Sequence, residues 1–106
     1  MDTNQFMRRD YTKALHSEIF RSDFYAREIN RANEGKDLST REEYQEVREA
    51  YIKDLSGRRR DDRLISLEFY MANAVAYGRT TKDRNWVFYF LPAYDLLVQC
   101  TLGGKK

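Results

Sequence analysis

The chain has one cysteine, one histidine and one proline, and its five glycines are scattered. Each scarcity removes a class of chemistry. Cys100 cannot form an internal disulfide, which is the pattern of a reducing compartment, and a cytoplasmic location is expected. With only His16 and Cys100, the usual zinc site cannot be assembled from one chain. No glycine precedes a Lys-Ser or Lys-Thr pair, so there is no phosphate-cradling loop. Asp61-Asp62 lacks the spaced carboxylates of a calcium loop. No cofactor and no metal are therefore expected. No apolar run, that at Val87–Leu91 included, approaches the ~20 residues of a membrane span. No apolar core follows the basic residues near the amino terminus, so no signal peptide is expected.

Catalysis is not expected either. A Cys–His pair would need His16, on a polar turn, to meet Cys100, in an apolar tail. A solvated imidazole and a small buried thiol account for both residues. There are 17 acidic side chains, but nothing selects two of them as an acid–base pair.

What the sequence does contain is a core. Its 106 residues are 42% apolar and 34% charged. A chain of this size buries roughly 60–70% of its extended surface and folds without staples, as one domain over residues 1–106. The net charge of +2 is too balanced to mark the whole chain as a nucleic-acid binder.

Three helical segments are readable. The first starts after Asp2 or Thr3 and runs towards Asn33, with Met7, Tyr11, Leu15 and Ile19 repeating every four residues. A break near Ser22-Asp23 would divide it in two. The second opens on a capping box, Ser39 with Glu42 or Thr40 with Glu43. It presents Tyr44, Val47, Tyr51 and Leu55 on one face and stops at Ser56-Gly57. The third starts at Asp61 or Asp62 and ends at Gly78. It is apolar nearly all round, which places it centrally. Ser66 and Asn73 share one line of it and read as a solvent or partner stripe. Glu68, facing away, needs a cationic or hydrogen-bonding partner if buried, or marks where the helix faces another chain.

The tail changes character. Asn85–Leu91 is rich in aromatic and β-branched residues and reads as a buried strand ended by Pro92. Residues 94–102 fit either a second strand or a short helix with Pro92 in its first turn, and the hairpin is preferred. The expected fold is α+β, mainly α: a three-helix core with a C-terminal β-hairpin. A hairpin covered on one side only would expose apolar residues, as an oligomer or partner interface does.

Two features point to binding. Residues 58–63 carry Arg58, Arg59, Arg60 and Arg63 with two aspartates. Such planar donors suit phosphate or carboxylate recognition, and a solvated interhelical loop is the plainer account. Arg79, Lys82 and Arg84 form a second basic group beyond the third helix. Aromatic residues make up 14% of the chain, and Tyr with Arg concentrates binding energy at interfaces. Tyr25, Tyr77 and Trp86 are the interface candidates. Tyr44 and Tyr51 are expected at the core edge, rings buried and hydroxyls wet.

The expectation is a non-catalytic protein that occupies the surface of a protein partner, with a homodimer as a candidate assembly. Phage and mobile-element inhibitors of host nucleic-acid machines, such as anti-CRISPR proteins, work in this way. The alternative is direct nucleic-acid binding, with phosphates contacted through the Arg58–Arg63 cluster.

Overall fold

The computed structural model describes residues 3–14 and 40–103. Helix α1 spans Thr3–Arg8 and is followed by a 3-10 turn at Thr12–Ala14. Helix α2 spans Glu42–Leu55, α3 Arg60–Thr81 and α4 Trp86–Gly103. No strand occurs among the described residues.

The first helix ends far earlier than its periodicity predicts. Asp10 Oδ1 accepts the Thr12 amide at 2.9 Å and the Thr12 hydroxyl at 2.5 Å. This local turn competes with the helical ladder and redirects the chain. The same bonds hold the Asp10 carboxyl below its usual range. The rest of the expected first helix, including Leu15, His16, the Ser22-Asp23 break and Tyr25, lies outside the described residues.

Helix α2 buries Tyr44, Val47, Tyr51 and Leu55 as expected. Its capping box does not form in the Thr40 register: Arg41 occupies the N-cap position without a side-chain cap. Gly57 adopts φ +81° just after the helix, a conformation that glycine takes without steric cost. Helix α3 is longer than predicted at both ends. It runs past Gly78 and stops only where Lys82 turns left-handed at φ 60° and donates to the Gly78 carbonyl at 3.0 Å.

The C-terminal hairpin is absent, and residues 86–103 form one helix that contains Pro92. Trp86, Phe88–Ala93 and Leu96 are buried. A segment covered on almost every side has no polar face, so its composition cannot distinguish a strand from a buried helix. The outward apolar face expected of a hairpin disappears with it. Pro92 removes one helical N–H, a cost of about 3 kcal/mol in an isolated helix. Here the surrounding packing tolerates it, and beside it the Tyr51 hydroxyl donates to the Tyr89 carbonyl at 2.9 Å.

Helix α4 packs chiefly on α3 and also on α2. The connection through residues 82–85 is short enough to make α3 and α4 antiparallel neighbours. Close approach is made possible by Gly78, where a Cβ would stand 2.6 Å from Trp86 Cγ. Phe6 anchors α1 on this pair, its ring stacked on Tyr89 at 4.0 Å and edge-on to Tyr77 at 5.8 Å.

Three tyrosine hydroxyls donate to aspartates: Tyr44 to Asp95 and Tyr70 to Asp54 join helices, and Tyr77 holds Asp83 of the α3–α4 connection at 2.5 Å. For Tyr44 and Tyr51 the rings are buried as expected, but both hydroxyls are bonded within the protein.

Asn73 is fully buried, at 0% exposure, which corrects its placement on a solvent stripe. Its Oδ1 accepts the Tyr11 amide at 2.6 Å, and its Nδ2 donates to the carbonyls of Phe6 and Arg9 at 3.4 and 2.9 Å. One side chain thus holds the end of α1 and the following turn against α3. Glu68, in contrast, is exposed, so its carboxylate needs no buried partner.

Candidate functional site

The line of α3 that starts at Ile65 continues through Phe69, Ala72 and Ala76, spaced by three or four residues on one face. Exposure along it falls steeply, from 66% at Ile65 and 36% at Phe69 to 1% at Ala72 and 0% at Ala76. Asn73, beside the closed half, is where α1 and the 3-10 turn are fastened. The amino-terminal half of the same apolar line is left open. A core-type surface therefore continues out of the protein.

This open half forms the floor of a groove of about 600 Å³, lined by Asn4, Met7 and Arg8 of α1, Asp54 of α2, Arg58, and Ile65, Ser66, Phe69 and Tyr70 of α3. A second hollow of about 480 Å³ adjoins it at Asn4 and Arg8 and adds Gln5 and Arg9. Covering Ile65 and Phe69 fully would contribute on the order of 2 kcal/mol, by their exposed share of a buried side chain's worth.

The one carboxylate among the groove's described lining residues is already engaged. Asp54 accepts the Tyr70 hydroxyl and lies 3.5 Å from the Arg58 guanidinium. Burial, and after it the bond to Asp54, pushes the Tyr70 phenol well above its usual range. It stays a neutral donor at any physiological pH. Arg58 also donates to Ser66 Oγ at 2.8 Å. Arg8 and Arg9 pair with no carboxylate among the described residues.

The expected arginine cluster is exposed but partly committed to the fold. Arg63 donates through Nε to the Arg58 carbonyl at 2.9 Å, and Arg60 through Nε to the Cys100 carbonyl at 3.3 Å. Arg59 is the N-cap residue of α3 and is exposed. Asp61 and Asp62 stand in the first helical turn, where their charge suits the free amides. Arg79, Lys82 and Arg84 are exposed at the other end of α3. Helix α3 has 22 residues, so the two basic groups stand about 33 Å apart. The fold does not bring them together.

Of the aromatic candidates, Tyr77 is half-buried among Phe6, Tyr11 and Tyr89. Trp86 is buried at 7% exposure, edge-on to Phe90 and against Gly78. Both side chains serve contacts within the chain, and Tyr25 is outside the described residues.

Ile65, Phe69 and Arg8 were not singled out by the sequence, and Met7 was read only as part of the apolar stripe of the first helix. In an unbroken apolar pattern Ile65 and Phe69 look like core, and only the early end of α1 shows that nothing described covers them. Among the described residues no three His, Cys, Asp or Glu side chains gather as metal ligands, and no helix is long and apolar enough to cross a membrane. No protein-family model, curated protein or solved structure matches the chain.

Proposed function

We propose that this is a non-catalytic binding protein that acts by occupying the surface of a protein partner, with the α1–α3 groove as its contact surface. The observation that carries this reading is the open apolar line. Ile65 and Phe69 stand in water although they continue the stripe that is buried one turn later. A two-thirds-exposed isoleucine beside a one-third-exposed phenylalanine, rimmed by arginines, is the composition of a docking patch. The role expected from the sequence, blocking a larger host assembly, requires such a surface and no catalytic group.

Direct nucleic-acid contact is less well supported by the geometry. The basic groups lie at opposite ends of α3, and Arg58, Arg60 and Arg63 each spend a donor inside the protein. A few phosphates bound by the remaining donors would give weak, salt-sensitive affinity.

Native co-purification of the wild type, an Ile65→Asp/Phe69→Ser variant and an Arg59→Ala/Arg60→Ala variant tests the reading. A protein partner should be recovered with the wild type and the arginine variant and lost with the groove variant. Recovery that is indifferent to the groove substitutions, or that depends on nucleic acid, overturns it.

A further inference from the structure

The groove has two unlike walls, and together they specify what would fill it. On one side are Met7, Ile65, Phe69 and the Tyr70 ring. On the other, Asn4, Gln5, Arg8 and Arg9 continue into the adjoining hollow, whose described lining has no acidic residue. The only carboxylate that the described residues bring to either lining, Asp54, is taken by Arg58 and Tyr70. The side chains of Arg8 and Arg9 are exposed, and no carboxylate among the described residues meets them. Asp61 and Asp62 lie one turn before Ile65, outside both linings.

Resting on the protein-docking reading above, we infer that the groove takes an acidic amphipathic peptide segment, with bulky apolar side chains set on Ile65 and Phe69 and carboxylates facing Arg8 and Arg9. Charge complementarity selects this occupant. A second copy of the chain would bring its own Arg8 and Arg9 against the same rim, and like charges facing each other oppose docking. Arginine forks bind carboxylates through paired N–H donors, which gives the contact orientation as well as attraction. The apolar wall supplies affinity, while the arginines choose the partner and set its direction.

The test uses the whole chain and three short fluorescent peptides. One alternates Leu and Phe with Asp and Glu, one has Lys in place of every acid, and one has Ala in place of every Leu and Phe. A single-stranded thymidine oligonucleotide serves as the fourth probe. Fluorescence anisotropy should show binding of the acidic apolar peptide alone, weakening as salt rises. Ile65→Asp should lower that affinity about tenfold or more. Arg8→Glu should weaken the acidic peptide several-fold and improve binding of the lysine peptide, a swap that a loss of folding could not produce. Both sites are exposed, and thermal melting of each variant confirms that it is folded.

Acidic and lysine peptides that bind equally well, both dependent on Ile65, would overturn the inference while leaving the protein-docking reading in place. Tighter binding of the oligonucleotide would overturn it in favour of nucleic acid, and self-association abolished by Ile65→Asp would overturn it in favour of a second copy. If no peptide binds, the inference falls. The docking reading falls with it only if partner recovery is also indifferent to Ile65.

Discussion

Replacing Asn73 by alanine should release α1 from the body of the protein and dismantle one wall of the groove. Asn73 is the only buried polar side chain that joins the described amino-terminal residues to α3, and it makes three hydrogen bonds. At about 1 kcal/mol net each, with a small cavity added, the loss is about 2–4 kcal/mol. That is a large part of the 5–15 kcal/mol typical of a whole domain. Urea unfolding followed by Trp86 fluorescence measures the total, and hydrogen exchange of the Tyr11 amide reports the site itself, since that N–H is donated to Asn73. Exchange at Tyr11 should accelerate more than exchange in α3 and α4. Asn73→Asp sharpens the test. It keeps the acceptor for Tyr11 but turns a carboxylate towards the carbonyls of Phe6 and Arg9, raising the folded-state pKa above the unfolded ~3.9. The variant should therefore be most stable, relative to wild type, below about pH 4 and lose stability as pH rises through the folded value. A loss under about 1 kcal/mol for Asn73→Ala, with Tyr11 exchange unchanged, would refute the assigned role.

Other substitutions probe the scaffold. Gly78→Ala gains about 1 kcal/mol of helix propensity but forces the Trp86 ring to move, at about 1–3 kcal/mol. Thermal melting should show net destabilisation, and a stabilised variant would contradict the close approach. Tyr44→Phe removes the bond to Asp95 and should cost about 1 kcal/mol by urea denaturation. The Tyr77 hydroxyl, and after it the Asn85 amide, holds Asp83 below its usual range. Its stabilisation is present above the unfolded pKa and is lost as pH falls through the lower folded value. Tyr77 is pushed up to about 12, first by burial and then by its bond to Asp83. Its contribution is complete below the unfolded value near 10 and is lost as pH rises through about 12. Phenolate absorbance should show this delayed titration in wild type and an earlier one in Asp83→Ala.

How readable each element was depended on whether its surroundings could be inferred locally. Helix α2 lies half in water, so Tyr44, Val47, Tyr51 and Leu55 repeat at helical spacing and Gly57 marks the end. The first half of helix α4 is buried on almost every side, and its aromatic run with Pro92 imitates a strand; the packing of α3 and α2 around it decides otherwise. Asn73 looked like a surface residue because its partners are backbone atoms more than 60 residues away. The arginine cluster was visible as composition, while its internal bonds to Ser66 and to the carbonyls of Arg58 and Cys100 are tertiary. The groove could not be read at all. Ile65 and Phe69 carry the same signal as buried neighbours, and only their exposure in the fold sets them apart.

On the proposed function, the Ile65 end of α3 meets a protein. A photo-reactive side chain placed at position 65, compared with one at position 84 at the opposite end of the helix, tests it in cells of the source. Position 65 should give discrete protein adducts, resistant to nuclease and much weaker from position 84. Adducts from position 84 alone, or adducts from position 65 that nuclease removes, would contradict it.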